Sequence, residues 1–209
     1  MRRPPTLKTT EIFASVQGEG LRQGEPTIFV RLSGCNRRCA FCDTKKAWRG
    51  GREMPVERIV KEVLRLRRGF PASWVCLTGG EPLAQDVRPL LRRLHETGLK
   101  VQFETNGTFP PEQGADWITV SPKPPDYDFH PGFPERAREV KLVVCRTLTL
   151  DAVRNVRRSF PREVPLILQP QSNAPWSRKK ALKILEDAYR TGLSNIRVSV
   201  QLHKVYGLR

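Results

Sequence analysis

The sequence predicts an α/β fold, an incomplete parallel α/β barrel, and three observations carry that expectation. Apolar strand segments alternate with amphipathic helical segments, the pattern of parallel strands joined by crossover helices. The short glycine-, cysteine- and acid-bearing motifs follow or end strand segments, as functional loops do at the C-terminal ends of parallel strands. Finally, 209 residues suit one domain with a sizeable core but fall short of the ~250 of a closed eight-fold barrel.

Residues 10–16 read as a first strand, followed by the turn Gln17-Gly-Glu-Gly20, whose glycines let backbone approach a ligand. Residues 27–32 are a second strand, rich in β-branched and aromatic side chains. Pro55 opens a helix with Val56, Ile59, Val60, Val63 and Leu64 on one face; Gly69 and Pro71 end it. Residues 74–78 form a third strand running into Gly79-Gly80. Residues 84–97 are helical with Val87, Leu90, Leu91 and Leu94 inward, closed by Gly98. Strands follow at 100–104 and 116–120. Five prolines within 122–137 then impose an irregular excursion. A strand at 139–144, a helix at 150–158 and a strand at 165–169 come next. The helix at 177–190 turns Ala181, Leu182, Leu185 and Ala188 or Tyr189 inward, and 196–200 is the last strand, before a tail at 201–209. The whole of 1–209 reads as a single domain.

Directly after the second strand lies Gly34-Cys-Asn-Arg-Arg-Cys-Ala-Phe-Cys-Asp-Thr44, with thiols at Cys35, Cys39 and Cys42. Three thiolates this close can converge on one face of a [4Fe–4S] cube, which normally takes four cysteines. The fourth iron would stay open to a small chelating molecule. Zinc is the alternative, but a closed structural site needs four ligands. No further Cys or His lies within thirty residues of Cys42. Three unrelated buried thiols fit poorly with polar Asn36, Arg37 and Arg38 between them. Cys76 and Cys145 sit in apolar runs and read as small buried residues.

Five cysteines, three in one loop, argue against a disulfide framework and for a reducing compartment. No apolar run approaches the ~18 residues of a membrane span, and basic Met1-Arg-Arg-Pro-Pro5 leads into no signal segment. The cytoplasm is the expected location. Net charge is +16, from 37 basic and 21 acidic residues. Nucleic-acid binding is one reading of that excess. The cations are dispersed, however, many on helix faces (Arg58, Lys61, Arg65, Arg67, Arg68), with no recognition motif. A solvated surface that steers a small anionic substrate accounts for them better.

With Phe41 before its last cysteine, the loop resembles that of the radical S-adenosylmethionine (SAM) enzymes. The ordered set Gln17-Gly-Glu-Gly20, Phe29-Val-Arg31, Cys42-Asp-Thr44, Thr78-Gly-Gly-Glu-Pro82, Glu104-Thr-Asn-Gly107 and Ser121-Pro-Lys123 resembles the 7-carboxy-7-deazaguanine synthase family of queuosine and 7-deazapurine biosynthesis. The likeness runs from about residue 10 to the C-terminus.

That resemblance implies a reduced radical SAM barrel and a carbon–nitrogen lyase. The enzyme would convert 6-carboxy-5,6,7,8-tetrahydropterin to 7-carboxy-7-deazaguanine by hydrogen abstraction, radical ring contraction and loss of ammonia. SAM would chelate the open iron and be split by one electron into a 5′-deoxyadenosyl radical; the protein orients and excludes water. For SAM, the resemblance implies the Gly79–Gly80 backbone and Glu81, then Ser121, Pro122 and Lys123, with Glu104 contacting SAM or substrate. Gln169, Pro170, Gln171 and Ser172 would border the adenosine, and Phe41 would pack on adenine beside Cys42 and Asp43. Substrate would fall to Val16, Gln17, Gly18 and Glu19, to Thr78, and to Arg31 as a carboxylate clamp. The tail, with His203 and Arg209, would close over it. Thr44 resembles a Mg²⁺ ligand, a role one hydroxyl can fill because Mg²⁺ keeps waters; a simple turn threonine is the alternative. A homodimer and a flavodoxin- or ferredoxin-like electron donor are also implied. Two rivals remain at this stage, a glycyl-radical-enzyme activase and a basic zinc-containing nucleic-acid-binding module. The Pro-rich excursion and the strongly basic surface have no counterpart in the resemblance.

Overall fold

The computed structural model describes residues 4–208. Its frame is one open nine-stranded sheet in the order β3-β1-β2-β4-β5-β6-β7-β8-β9. In chain order the strands are β1 (Thr6–Val16), β2 (Pro26–Leu32), β3 (Arg52–Pro55), β4 (Trp74–Gly79), β5 (Lys100–Thr105), β6 (Trp117–Val120), β7 (Glu139–Val144), β8 (Leu166–Pro170) and β9 (Ile196–Val198). The helices are α1 (Val56–Gly69), α2 (Arg88–Glu96), α3 (Leu150–Arg158), α4 (Pro175–Arg190) and the short α5 (Leu202–Val205). From β2 through β9 each neighbouring pair is parallel, and the sheet does not close, as the chain length anticipates.

Strand alternation assigns the two faces. One set of alternate residues, including Ile28, Val30, Val75, Leu77, Val101, Phe103 and Leu142, is fully buried in the core shared with α1–α4. The opposite set is mostly polar, with Phe29, Cys76 and Val143 among it, and the register lines it up across the sheet. Arg31 pairs with Thr78, Glu104 with Thr119, and Val143 with Gln169. Helices cover only one face, so this polar row is left to line a cavity at the strands' C-terminal ends.

The structure departs from the expected elements in several places. β1 begins at Thr6 and pairs antiparallel with β2, because residues 17–25 are too few for a crossover helix. β3, antiparallel to β1, was not foreseen; Arg-Glu-Met-Pro has no apolar alternation to announce it. α2 starts at Arg88 instead of residue 84. That start leaves Pro89 in the first turn, where its missing N–H costs nothing, whereas an earlier start would put it inside the helix. On α4 Leu182 points outward, 59% exposed, against expectation, and of the alternatives Ala188 and Tyr189 it is Ala188 that is buried while Tyr189 is 53% exposed. The Ser177 hydroxyl donates to the Val144 carbonyl (2.6 Å), which fixes the helix rotation so that Ala181, Ile184 and Ala188 face the sheet. The Pro-rich excursion forms neither helix nor strand, yet it buries Tyr127 and Phe133 in the main core and packs the Phe129 ring at a tilt against Phe160.

Candidate active site

The polar row and the loops above it line a cavity of about 240 Å³ that opens to solvent. Its rim begins with the cysteine loop. Gly34 N–H donates to the Ala47 carbonyl (2.9 Å), and Glu81 N–H donates to the Gly34 carbonyl (2.7 Å). These bonds tie the loop to the Gly79–Gly80 turn, where Gly80 N–H donates to Leu32 (3.0 Å). Any Cβ on Gly80 would stand 2.0 Å from the Gly34 oxygen, so only glycine allows this close seam.

Cys35, Cys39 and Cys42 are half-buried and all line the cavity. Thr44 N–H points at the Cys42 sulfur (3.4 Å). Burial pushes the Cys39 thiol up, with Lys123 pulling against it and the other two thiols adding to the rise. Cys76 and Cys145 are buried, as read from sequence. Among the described residues, the acidic, histidine or cysteine trio whose ligand atoms lie within 4.8 Å of one another is Glu19, Asp43 and His203, not the cysteines. A tetrahedral zinc would draw sulfurs to about 3.8 Å, given its ~2.3 Å bonds. A cube spreads its thiolates over separate corner irons, and the donor set fits that group. The acidic trio fits a cation poorly, since Lys141 already pairs with Glu19 (2.5 Å) and Lys204 with Asp43 (3.1 Å).

Of the residues expected to hold SAM, Phe41, Asp43, Gly80, Glu104, Ser121, Lys123, Gln169, Pro170, Gln171 and Ser172 line the cavity. Glu81 stands behind the wall. Its buried carboxylate accepts from Thr105 Oγ1 (2.7 Å), Asn106 N–H (2.7 Å) and Leu83 N–H (3.0 Å), which locks one loop to the next, and burial pushes its carboxyl up. Pro122 is not on the lining; it spaces Ser121 from Lys123. Lys123 Nζ donates to Ser121 Oγ (2.6 Å), and burial, then Lys141, push its ammonium down. Gln169 is buried with Oε1 accepting from Ser199 Oγ (2.7 Å), while Nε2 has no protein partner.

Of the residues expected to meet substrate or Mg²⁺, Val16, Gln17, Gly18, Glu19, Arg31, Thr44, Thr78 and His203 also line the cavity. Arg31 Nε donates to Glu11 (2.7 Å) and its NH1 reaches Thr44 Oγ1 (3.5 Å). The His203 ring lies against Gly18, where a Cβ would be 2.1 Å from Nδ1, and Leu202 N–H donates to the Gly18 carbonyl (2.8 Å). Arg209 lies outside the described residues.

Lys141 and Gln201 are among the lining residues missed as site residues. Lys141 on β7 is buried and reaches Glu19 (2.5 Å) and Glu104 (2.8 Å). Its signal was available: a lysine inside a strand whose only other polar residue is Glu139 is a charge that must find partners. Gln201 Nε2 donates to Glu19 (2.7 Å) and Asp43 (3.2 Å), joining three loops.

A family model described as the Radical SAM superfamily matches residues 29–202. The chain is 35% identical over its whole length to the 7-carboxy-7-deazaguanine synthase of Aquifex aeolicus, covering 98% of that protein. It is 34% identical to the same-named protein of Synechocystis, covering 95% of this chain and 92% of the other. The crystal structure of QueE from Escherichia coli superposes with a TM-score of 0.78 at 29% identity, over 95% of both chains.

Proposed function

The chain belongs to the radical SAM superfamily and, within it, to the 7-carboxy-7-deazaguanine synthases, and on that premise we propose how its residues divide the work of converting 6-carboxy-5,6,7,8-tetrahydropterin to 7-carboxy-7-deazaguanine. One observation carries the division: three thiols, a guanidinium and a pair of carboxylates bridged by a lysine all line one cavity.

When bound, the [4Fe–4S] cluster and SAM supply the one-electron chemistry that removes a hydrogen atom from the substrate. Cys35, Cys39 and Cys42 hold three irons, and Lys123 and Arg37 offset the thiolate charge. The Gly79–Gly80 backbone, Ser121, Lys123 and the Gln169–Ser172 turn border SAM. Arg31 is fixed by Glu11 and faces the cavity, where it receives the substrate carboxylate bidentately. The Thr44 hydroxyl beside it offers one oxygen to Mg²⁺, the rest coming from substrate and water. Glu19 and Glu104 accept from the N–H groups of the pyrimidinone edge. His203, seated on Gly18, shields the ring from water.

The electron donor is a flavodoxin- or ferredoxin-like protein. Supporting it, the cysteine loop and its continuation carry Arg37, Arg38, Lys45, Lys46, Arg49 and Arg52 against only Asp43 and Glu53, a collar suited to an acidic carrier. Donor-driven turnover should therefore fall severalfold between low and physiological salt while dithionite-driven turnover does not; equal salt dependence would remove the collar's role. A homodimer is part of this reading, supported by the outward Leu182 and Tyr189 of α4, and light scattering at the monomer mass would refute it. No helix among the described residues is long and apolar enough to cross a membrane. Free thiols suit the reducing cytoplasm.

The deciding experiment is anaerobic turnover of 6-carboxytetrahydropterin with SAM, reductant and Mg²⁺. Product is expected without any protein partner, with a loss on chelation of Mg²⁺. Arg31→Met should raise KM for this substrate about a hundredfold, the loss of a bidentate charged pair. Absence of product with a fully loaded enzyme would favour the activase; zinc in place of iron would favour the nucleic-acid module.

A further inference from the structure

We infer that Lys141 is a positioning residue for the substrate: its buried ammonium holds Glu19 and Glu104 together as a fixed pair of acceptors lining the cavity. This rests on the reading of that lining as the substrate's, and it concerns a residue to which the family motifs quoted above give no role.

Three elements bring the groups together. Lys141 comes from the inner face of β7, Glu104 from the end of β5, and Glu19 from the loop after β1. The Lys141 side chain is 5% exposed, and Nζ lies 2.5 Å from Glu19 Oε2 and 2.8 Å from Glu104 Oε2. The remaining oxygens are held as well: Gln201 Nε2 donates to Glu19 Oε1 (2.7 Å), and Gln17 Nε2 to Glu104 Oε1 (3.1 Å). Each carboxylate oxygen therefore has one protein donor and keeps acceptor capacity for the cavity.

Two carboxylates sharing one ammonium stand close enough to repel each other when it is removed. A proton would then be taken up by one of them, and an acceptor facing the ligand would become a donor. The ring edge of a pterin offers N–H donors, so that change meets hydrogen with hydrogen. Burial would push the Lys141 ammonium down, but Glu104 and Glu19 hold it above its ordinary value. Glu19 is correspondingly held low: burial raises it and Lys141 more than offsets this, with Asp43 opposing. The triad keeps one net negative charge, opposite in sign to Arg31, which lines the same cavity. Lys141 thereby fixes which way a ligand with one anionic end and one donor-rich edge can lie.

The test is a double-mutant cycle on SAM-loaded enzyme, read by the Kd of pterin-6-carboxylate, an unreactive fluorescent mimic, in wild type, Lys141→Met, Glu19→Gln and the double variant. Lys141→Met should weaken the mimic at least tenfold with the Kd of SAM changed less than twofold. In the Glu19→Gln background the same substitution should cost less than threefold. Unchanged affinity in Lys141→Met, an equal loss in both backgrounds, or a parallel loss for SAM would overturn the inference. If Lys141→Met does not fold, the double variant, which carries the wild-type net charge, is compared with Glu19→Gln alone. A change below threefold supports the inference and a larger one overturns it. Wild-type turnover, measured alongside, separates the two levels. Its failure sinks the functional reading, whereas turnover with an unaffected Lys141→Met sinks this inference alone.

Discussion

Cys39→Ala is expected to leave a folded protein that has lost its iron and its turnover. The side chain sits on a half-buried loop outside the sheet, and the bond that shapes the turn runs from Cys42 N–H to the Cys39 carbonyl (3.0 Å), which alanine keeps. Stability of the metal-free protein should change by no more than about 0.5 kcal/mol. In the proposed centre each of the three thiolates would serve its own iron, so there is no spare to take over; Cys76 and Cys145 are buried elsewhere. The cluster carries the hard step, so activity should fall at least about a thousandfold. Iron analysis, visible absorption and anaerobic turnover read the result. A Cys39→Ala protein that keeps iron and converts substrate would refute the three-thiolate centre.

Gly80→Ala should damage the protein through a backbone clash at the seam. The new Cβ would lie 2.0 Å from the Gly34 oxygen, 2.5 Å from its carbonyl carbon and 2.7 Å from the Ala47 oxygen, all backbone. None can swing aside as a flexible side chain would. To relieve the clash the root of the cysteine loop must move away from β4, which breaks the Glu81 N–H to Gly34 bond. The cost should be roughly 3 kcal/mol, as for overpacking at a rigid site, a fall in Tm of about 6–12 °C for a chain of this size. Turnover should fall further than stability predicts, because the displaced loop carries the thiols. Gly69→Ala is the control: its Cβ meets nothing within 4 Å, and the thermal midpoint should hold or rise slightly. Equal melting of the two variants would mean that the seam is not tight.

Much of this was readable from residues alone where the signal is local. Cys35, Cys39 and Cys42 announce themselves by spacing, and the motif residues after β4, β5, β6 and β8 follow from strand ends. The alternation that puts Arg31, Thr78 and Glu104 on one face is a property of each strand by itself. What escaped depends on partners far away in the chain. Lys141 acquires its meaning from Glu19 at 122 residues' separation, and Gln201 from Glu19 at 182. Leu182 looked inward because helical periodicity leaves the absolute rotation open, and that rotation is set by a Ser177 hydroxyl on another strand's carbonyl. Glu81 was placed against SAM from its motif, but burial turns its carboxylate into a brace between loops. The Pro-rich excursion gave no period at all, yet its aromatic residues complete the core.

The short strand that went unforeseen has a consequence for how the molecule behaves in a crowd. An outermost strand offers free backbone groups to any passing chain, the route by which sheet proteins stack into fibres. Here that position is taken by Arg52, Glu53, Met54 and Pro55, with all but the methionine exposed. Two charges repel a hydrophobic recruit, and the proline withholds an N–H at the end of the row. The sheet thus terminates itself on that side, and self-association by strand addition is discouraged there.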